Sequence, residues 1–461
     1  MRRTPALDPG RGLEKLATFP FQVLTWVDDA GYPVSVAVTA VADSAEGSAD
    51  FVAPTGLAVP TDRDVSLTGS HIRPQPGYGY DERRHVTVWG RLRGRPDGRI
   101  GLRVIHAWGW DEAEVPFFEY SERSNAQSRT YFDALSAERG TPVKPRLSPG
   151  WLALRATRLP FLTATMVPIL LGIAVAARDG HFVWWLALLT LLGGAAIHIG
   201  LNTANDIFDA LSGADETNYT PTQFSGGSRV IQRGLVSLRQ MCALSGGAYV
   251  VGISIGITLV LTRGSLELLG IGVLGVVLSV FYTAPPLRLV HRGLGELTTA
   301  LGFGPIMVLG AYVVQAEKLS WEALVVSVPV AILIALVLYV NEIPDRYSDA
   351  AVGKRTLPAR LGRVAVTRAF LMAALAAFAV VIVAAAFGVI PRPAIIALAA
   401  LPLVAKVYRG IKAYYTSPYE LMATMGQNVQ MHLVVGLALF AGYMIAELAS
   451  AVLDSPPAIL V

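Results

Sequence analysis

The chain has very little cysteine and little charge, and each shortage excludes a class of function. Cys242 is the only cysteine among 461 residues, which rules out an intramolecular disulfide and a cysteine-based metal cluster. Charged residues make up 16% of the chain and the net charge is +4, which gives nucleic-acid binding little support. The opening MRRTPALDPGRGLEK has no apolar core behind its arginines, so we expect no secretory signal and a cytoplasmic N-terminal domain.

Hydrophobic residues are abundant instead, and they are unevenly distributed. They make up 53% of the chain and the mean hydropathy is +0.49, which is too apolar for a purely soluble protein. Residues 1–150 are polar and mixed, whereas long apolar runs alternate with short charged loops from Leu159 onward. Nine runs have the length that spans a bilayer: 159–177, 182–204, 238–262, 266–284, 296–315, 322–342, 364–387, 393–409 and 428–452.

This division predicts a multidomain protein. We expect a soluble domain at 1–145, a linker at 146–158, and an all-α transmembrane bundle of about nine helices at 159–461. The basic residues predict how the bundle is oriented. The loops at 205–239, 285–295, 343–368 and 406–420 hold fourteen Lys and Arg, whereas the loops on the other side hold four. Because such an excess marks the cytoplasmic side, we predict a multi-pass protein of the cytoplasmic (inner) membrane with an external C-terminus.

The first 145 residues have the pattern of a mainly β domain. FQVLTWV and YPVSVAVTAV flank a tight turn and predict a hairpin, while DFVAP, DVSLTG and HVTVWGRLRG continue the β pattern. A later segment, 119–140, has helical spacing. The hairpin around Thr25 to Pro33 and the WGRLRG strand resemble the split-barrel fold of the pyridoxamine-phosphate-oxidase-like flavoproteins. This resemblance implies a domain that binds FMN, another flavin-like cofactor or haem, usually as a homodimer.

Two clusters of acidic and amide residues lie at the ends of apolar segments. The clusters are Asn202, Asp206 and Asp209 in LNTANDIFD, and Asn341, Asp345 and Asp349 in YVNEIPDRYSD. Spacings of three and four residues place each set on one helical face. A carboxylate near hydrocarbon is costly unless it is paired or solvated, so such residues indicate a functional site. Oxygen ligands suit Mg²⁺, which binds through one or two carboxylates together with substrate phosphates. The clusters therefore predict a diphosphate held through metal.

Four motifs follow one another along the apolar part of the chain. They are NTANDIFDALSGAD, FSGGSRVIQRGLVS, YTAPPLRL and NEIPDRYSDAAVGKRTLPARLG. Together they resemble the UbiA superfamily of intramembrane prenyltransferases, especially the branch that prenylates 1,4-dihydroxy-2-naphthoate in menaquinone biosynthesis. The resemblance implies a helical bundle with a central cavity, and an isoprenyl diphosphate bound through Mg²⁺, or Mn²⁺, between the acid clusters. It also implies an aromatic acceptor of the quinone-precursor class that is alkylated at a ring carbon.

The resemblance assigns roles to particular positions. The expected metal ligands are the two clusters, Asn202, Asp206, Asp209, Asn341, Asp345 and Asp349, and their four aspartates are also the expected catalytic residues. The expected substrate-binding residues are Asn205, Asp215, Arg229, Tyr282, Lys354 and Arg355. Asp215 follows Asp209 by six residues, which is the spacing of the naphthoate branch. The three basic residues either bind the diphosphate or only follow the membrane orientation. Tyr282 either lines the cavity, where its ring could stabilise an allylic cation, or anchors the membrane interface.

Two other functions share these features. A terpene cyclase of the same fold would ionise the same diphosphate, but the chain's own double bonds would then attack the cation. An ion-coupled transporter would also place acidic residues on membrane helices. The basic pair in VGKRT and the SGGSR loop favour diphosphate chemistry over transport.

Overall fold

The computed structural model describes residues 6–30, 32–74, 80–116, 119–120, 124, 129, 132–134, 136–143, 147–218 and 220–453. The chain divides into two compact units, Met1–Ala134 and Leu135–Val461.

The first unit is a curled antiparallel sheet with the form of a half-barrel. Its eight strands are β1 (Ala6–Leu7), β2 (Gln22–Val27), β3 (Pro33–Val38), β4 (Val41–Asp43), β5 (Ser48–Phe51), β6 (Asp64–Pro74), β7 (Tyr80–Gly94) and β8 (Ile100–Asp111). They are ordered β3-β2-β6-β7-β8-β5-β4, with β1 alongside β8. The predicted hairpin is confirmed, since Gln22 pairs with Val38 and Val27 with Pro33. The predicted helix at 119–140 lies largely outside the described residues.

Alternating side chains explain why this sheet folds around one apolar face. Leu24, Leu67 and Val88 on neighbouring strands are fully buried, and helix α1 (Pro9–Leu16) adds its own buried leucines to the same cluster. The β7–β8 register shifts at Gly90, where a Cβ atom would lie 1.7 Å from the carbonyl oxygen of Arg103. Only glycine fits at that bulge.

The second unit is helical. Its described helices are α2 (Pro149–Ala156), α3 (Thr163–Arg178), α4 (Trp184–Ser212), α5 (Ala214–Thr217), α6 (Leu238–Arg263), α7 (Leu266–Phe281), α8 (Gly295–Leu301), α9 (Met307–Ala316), α10 (Trp321–Ala351), α11 (Leu357–Arg360), α12 (Arg363–Ala386), α13 (Leu401–Tyr414) and α14 (Pro418–Leu453). A π-helical turn joins α8 to α9, so the two form one span of 22 residues. Similarly, a 3₁₀ segment, Arg392–Ala400, leads into α13.

Each of the nine predicted apolar segments corresponds to a helix of the described chain. Seven of these helices are long and apolar enough to cross a bilayer, and the other two, α3 and α7, have 16 residues each. The span α10 has the highest mean hydropathy, 2.8, and is the most buried of the seven. It continues as one helix through Pro329 and Pro344. The unit is therefore a multi-pass membrane bundle built around α10.

Small residues let α4 and α6 approach closely. A Cβ atom on Gly200 would meet the ring of Tyr249 at 2.9 Å, and one on Gly252 would meet Ile197 at 2.7 Å. The hydroxyl of Ser245 also donates to the carbonyl of Gly200 at 3.0 Å. Such small-residue contacts are a usual way for helices to pack in a membrane. They fix the position of α4, whose last turns carry the first acid cluster.

Candidate active site

Two long helices bring the acid clusters to one cavity. The first cluster lies on the last turns of α4 and the second on the last turns of α10, although the two are more than 100 residues apart in sequence. The cavity has a volume of about 190 Å³. Nine of the predicted site residues line it: Asn202, Asn205, Asp209, Asp215, Tyr282, Asn341, Asp345, Asp349 and Lys354.

Within the first cluster, each carboxylate is held by a specific donor. The side-chain amide of Asn205 donates to Asp209 at 2.9 Å. Asp206 is buried and accepts from the backbone N–H of Ser228 at 3.2 Å, so it faces the SGGSR loop rather than the open cavity. Backbone donors fix the direction of a carboxylate without adding charge. The cluster is thus oriented by contacts within the protein.

The SGGSR loop also holds the second cluster. The backbone N–H of Gly226 donates to Asp345 at 2.9 Å, and the amide of Asn218 donates to the other carboxylate oxygen at 2.8 Å. Gly226 and Gly227 have φ values of +74° and +72°, in the left-handed region that glycine enters without strain. A Cβ atom on Gly227 would lie 3.0 Å from Asp206. Two glycines therefore let the loop backbone reach both clusters.

Asp215 returns to the cavity because α4 ends at a left-handed glycine. Gly213, with φ +76°, caps the helix and reverses the chain into the short helix α5. There the Asp215 carboxylate accepts from Gln232 at 2.7 Å, while Arg229 donates to the Asp215 carbonyl. Burial, and then the neighbouring carboxylates of Asp209 and Asp206, raise the pKa of Asp215 to about 8.

Lys354 is the cation between the two clusters. Its ammonium group is buried, pairs with Asp209, and lies 3.9 Å from an oxygen of Asp349. Burial by itself would lower the pKa of Lys354, but Asp209 and Asp349 outweigh it and hold this pKa above its ordinary value. A buried ion pair of this kind costs desolvation, so its presence indicates a site where positive charge is needed.

The structure separates the other two basic candidates from the cavity. Arg229 does not line it and instead binds the carbonyl of Asp215. Arg355 is exposed and also does not line the cavity, although it adjoins Lys354 in sequence. The lining residues that were not predicted include the polar or charged side chains of Arg158, Asn218 and Glu342. Glu342 stands inside the quoted NEIPD motif, directly after Asn341, and this position was the signal that the sequence offered.

The donor set suits a divalent cation that shares its coordination with a substrate. Among the described residues, no three His, Cys, Asp or Glu side chains form a group that could hold a metal by themselves. Asn341 Oδ1, however, is a buried oxygen with no hydrogen-bond partner, and the Lys354 ammonium already lies between Asp209 and Asp349. Mg²⁺ commonly takes one or two carboxylates and completes its shell with phosphate oxygens. The residues fit such an ion.

An apolar groove continues from the polar cavity. It has a volume of about 720 Å³ and is lined mainly by α4, α6, α7 and the α8–α9 span. Five residues line both spaces, and they mark the junction between them: His198, Leu201, Tyr282, Thr299 and Phe303. His198 is held there by a 2.6 Å hydrogen bond between its Nδ1 and the hydroxyl of Thr165. A ligand that spans the junction would therefore contact charged side chains at one end and apolar side chains at the other.

The fold and the site define a multi-pass integral membrane protein whose helices enclose a carboxylate-lined cavity that opens into an apolar groove. The chain belongs to the UbiA prenyltransferase family, whose pattern matches residues 165–449. It is accordingly a prenyltransferase, as its relatives are. The resemblance seen in the sequence motifs is confirmed.

Two curated bacterial relatives are named for naphthoquinone and naphthoate substrates. The chain is 28% identical to a 2-carboxy-1,4-naphthoquinone phytyltransferase of Synechocystis over 66% of this chain and 97% of the relative. It is 33% identical to a 1,4-dihydroxy-2-naphthoate octaprenyltransferase of Mycobacterium tuberculosis over 44% of this chain and 66% of the relative. Among solved structures, a UbiA homolog from Archaeoglobus fulgidus bound to GPP and Mg²⁺ aligns with 13% identity and a TM-score of 0.45, covering 62% of this chain and 99% of that one.

Proposed function

We propose that this protein transfers a polyprenyl group from an isoprenyl diphosphate to a hydroxylated naphthoate, such as 1,4-dihydroxy-2-naphthoate, in a reaction that requires Mg²⁺ or Mn²⁺. The observation that carries the proposal is the junction of a carboxylate-lined cavity with a long apolar groove. An isoprenyl diphosphate has the same division, with an anionic head and a hydrocarbon tail. The naphthoate and naphthoquinone substrates in the names of the curated relatives support the choice of acceptor.

The polar cavity would hold the diphosphate head. The carboxylates of Asp209, Asp345 and Asp349, with the oxygen of Asn341, would bind the metal, which when bound neutralises the charge of the leaving diphosphate. Lys354 adds a fixed positive charge at the same place. Because Asn218, Gly226 and the other donors already orient the carboxylates, little reorganisation is needed when the head group enters.

The apolar groove would hold the prenyl tail and place the reacting carbon at the junction. Tyr282 lines both spaces, so its ring lies where the first allylic carbon would leave the polar cavity. An aromatic face stabilises a developing cation at such a position. In the reaction the carbon–oxygen bond to diphosphate breaks, a bond forms to a carbon of the acceptor ring, and the ring loses a proton.

The proposal includes an orientation in the cytoplasmic membrane. Both clusters lie at the ends of helices that lead into the basic loops at 205–239 and 343–368. With those loops inside, the diphosphate and the acceptor would enter from the cytoplasm while the tail stays in the bilayer.

The test is to incubate the purified protein with geranylgeranyl diphosphate and 1,4-dihydroxy-2-naphthoate, each with Mg²⁺ and with excess EDTA, and to identify the products by mass spectrometry. We expect a prenylated naphthalene product that requires both the acceptor and the metal. A cyclic hydrocarbon formed without acceptor would instead indicate a terpene cyclase. Full turnover in EDTA would contradict the metal site, and an unconsumed diphosphate would contradict the proposed donor and acceptor.

A further inference from the structure

Glu342 is a buried carboxyl group in the cavity that the diphosphate chemistry does not use. Its side chain lines the cavity, and only 6% of the residue is exposed. The oxygen Oε2 is buried and has no hydrogen-bond partner. An acceptor of this kind costs free energy if it stays unpaired. Each such group in a native fold therefore calls for a partner, and a bound ligand can supply one.

The neighbours of Glu342 include a further buried carboxyl group outside the two acid clusters, Glu296. Besides burial, the groups that bear on it are Glu296, whose carboxyl group also hydrogen-bonds with the Glu342 side chain, and then Asp349 and Lys354. Glu296 is itself buried and is fixed by the backbone N–H of Leu357, which donates to its Oε1 at 3.0 Å. Lys354 already pairs with Asp209. None of these groups donates a hydrogen bond to Glu342 Oε2 within the described part of the chain.

Glu342 also lies beside the junction. Both Glu342 and Glu296 act electrostatically on Tyr282, which hydrogen-bonds with Thr299. Tyr282 and Thr299 line the polar cavity and the apolar groove alike. The free oxygen of Glu342 is therefore close to the place where a ring carbon must meet the allylic carbon of the donor.

We propose that Glu342 binds the aromatic acceptor by accepting a hydrogen bond from a ring hydroxyl. This inference rests on the proposed function and specifies which residue recognises the acceptor. The oxygens of an ionised phosphate only accept hydrogen bonds, whereas a ring hydroxyl supplies the missing donor. A site built around a buried acceptor discriminates strongly against an analogue that lacks the hydroxyl, because the acceptor is then left unpaired.

The test compares Glu342→Gln and Glu342→Met in the full-length protein, since glutamine keeps one side-chain oxygen and methionine keeps the length but no oxygen. The matched control is Glu322→Gln on the same helix. Glu322 lies 20 residues away, at the opposite end of α10, where Arg178 and Tyr443 bind it. Each variant is assayed with 1,4-dihydroxy-2-naphthoate and with its mono-O-methyl ethers, and thermal unfolding is measured in detergent.

We expect kcat/KM for the hydroxylated acceptor to fall about tenfold to a hundredfold in Glu342→Met, and less in Glu342→Gln. The wild-type preference for the free hydroxyl over one of its ethers should disappear in Glu342→Met. The KM for geranylgeranyl diphosphate and the Mg²⁺ concentration for half-maximal rate should stay within about twofold of wild type, as they should in the control.

Three results would overturn the inference while leaving the proposed function in place. The first is an unchanged preference for the hydroxylated acceptor over its ether. The second is an equal loss of kcat/KM with both compounds. The third is a changed KM for the diphosphate or a changed Mg²⁺ requirement, which would assign Glu342 to the binding of the diphosphate head. If Glu342→Met does not fold, the same comparison in Glu342→Gln decides. A wild-type protein that prenylates no naphthoate would contradict the proposed function itself.

Discussion

At the residue scale, the cavity depends on carboxylates that are held in place by donors of the protein itself. Asp345 shows this most clearly, because one oxygen accepts from Asn218 and the other from the backbone of Gly226. Both donors come from the segment after α4, and the same segment holds Asp206 of the first cluster through the backbone of Ser228. The arrangement couples the two clusters across the cavity.

We expect Asp345→Asn to lower kcat by about a hundredfold or more, because the amide removes a charge from the proposed metal site while keeping the shape of the side chain. Kinetics of prenyl transfer in detergent would measure the loss, with thermal unfolding as the check on folding. Asp179→Asn is the control, since Asp179 binds Tyr312 outside the cavity. Turnover near wild type in Asp345→Asn would contradict a role for the second cluster.

At the scale of elements, the segment around the SGGSR loop and the helix α6 each contain two glycines that can be compared. In each pair one glycine lies beside a functional space and the other does not. Gly227 and Gly234 lie in one loop and have φ values of +72° and +67°. Only Gly227 is close to the acid cluster, since a Cβ atom there would lie 3.0 Å from Asp206 and 3.3 Å from Asp215. A Cβ atom on Gly234 would meet nothing within 4 Å.

Both Gly227→Ala and Gly234→Ala should lose about 1 kcal/mol of stability through backbone strain. Only Gly227→Ala should also lower kcat/KM, by roughly tenfold or more, because the displaced carboxylates no longer hold their geometry. Steady-state kinetics and thermal unfolding on the same preparations would separate the two effects. Equal activity in the two variants would show that the loop does not position Asp206.

The apolar groove allows a second prediction at this scale, about the length of the prenyl chain that the protein accepts. Gly256 lines it and Gly247 does not, although both belong to α6 and a Cβ atom at either would meet nothing within 4 Å. Gly256→Leu should therefore shorten the longest prenyl diphosphate that the protein uses, whereas Gly247→Leu should not. The measurement is kcat/KM across geranyl, farnesyl, geranylgeranyl and longer diphosphates. If both variants lost the longer diphosphates to the same extent, the cause would be a general effect on the helix α6.

At the scale of the whole molecule, the chain combines a sheet unit and a membrane unit, each with its own apolar core. Leu13, Leu24 and Leu102 belong to the core of the first unit, whereas Val340 and Phe370 belong to that of the second. A unit that completes its own core can fold independently.

We propose that the sheet unit is an independent domain that binds a flavin-like cofactor. Residues 1–134 expressed alone should be soluble, show a β-rich circular dichroism spectrum and take up FMN. Visible absorbance after incubation with FMN and with haem would identify the cofactor. A folded fragment that binds neither would contradict the cofactor proposal and leave the domain as a scaffold.

The proposed orientation can be tested by cysteine labelling. In a Cys242→Ser background, single cysteines at the exposed positions Ser212, Lys318 and Thr416 report on both sides of the bundle. An impermeant maleimide added to intact cells should label only Lys318→Cys, and should reach the other two after the membrane is opened. Labelling of position 212 or 416 from outside would reverse the orientation, and with it the proposed route of substrate entry.

The sequence by itself determined the two-part organisation, the positions of the apolar helices and nine of the residues that line the cavity. Hydropathy and helical spacing are local properties, so runs such as α10 and the Asn-x3-Asp faces could be predicted without knowing the partner of any helix. The family also followed from the sequence, because its motifs lie in continuous stretches. The strand β8 was not predicted.

The tertiary structure alone decided which neighbouring side chains enter the site. Lys354 and Arg355 are adjacent and carry the same charge, yet only Lys354 is buried between Asp209 and Asp349. Similarly, Glu342 meets Glu296 because α10 packs against α8 across 46 residues of sequence. Periodicity indicates which residues share a face of one helix. Which face meets which partner depends on packing between distant segments, because burial and pairing are properties of the whole assembled bundle.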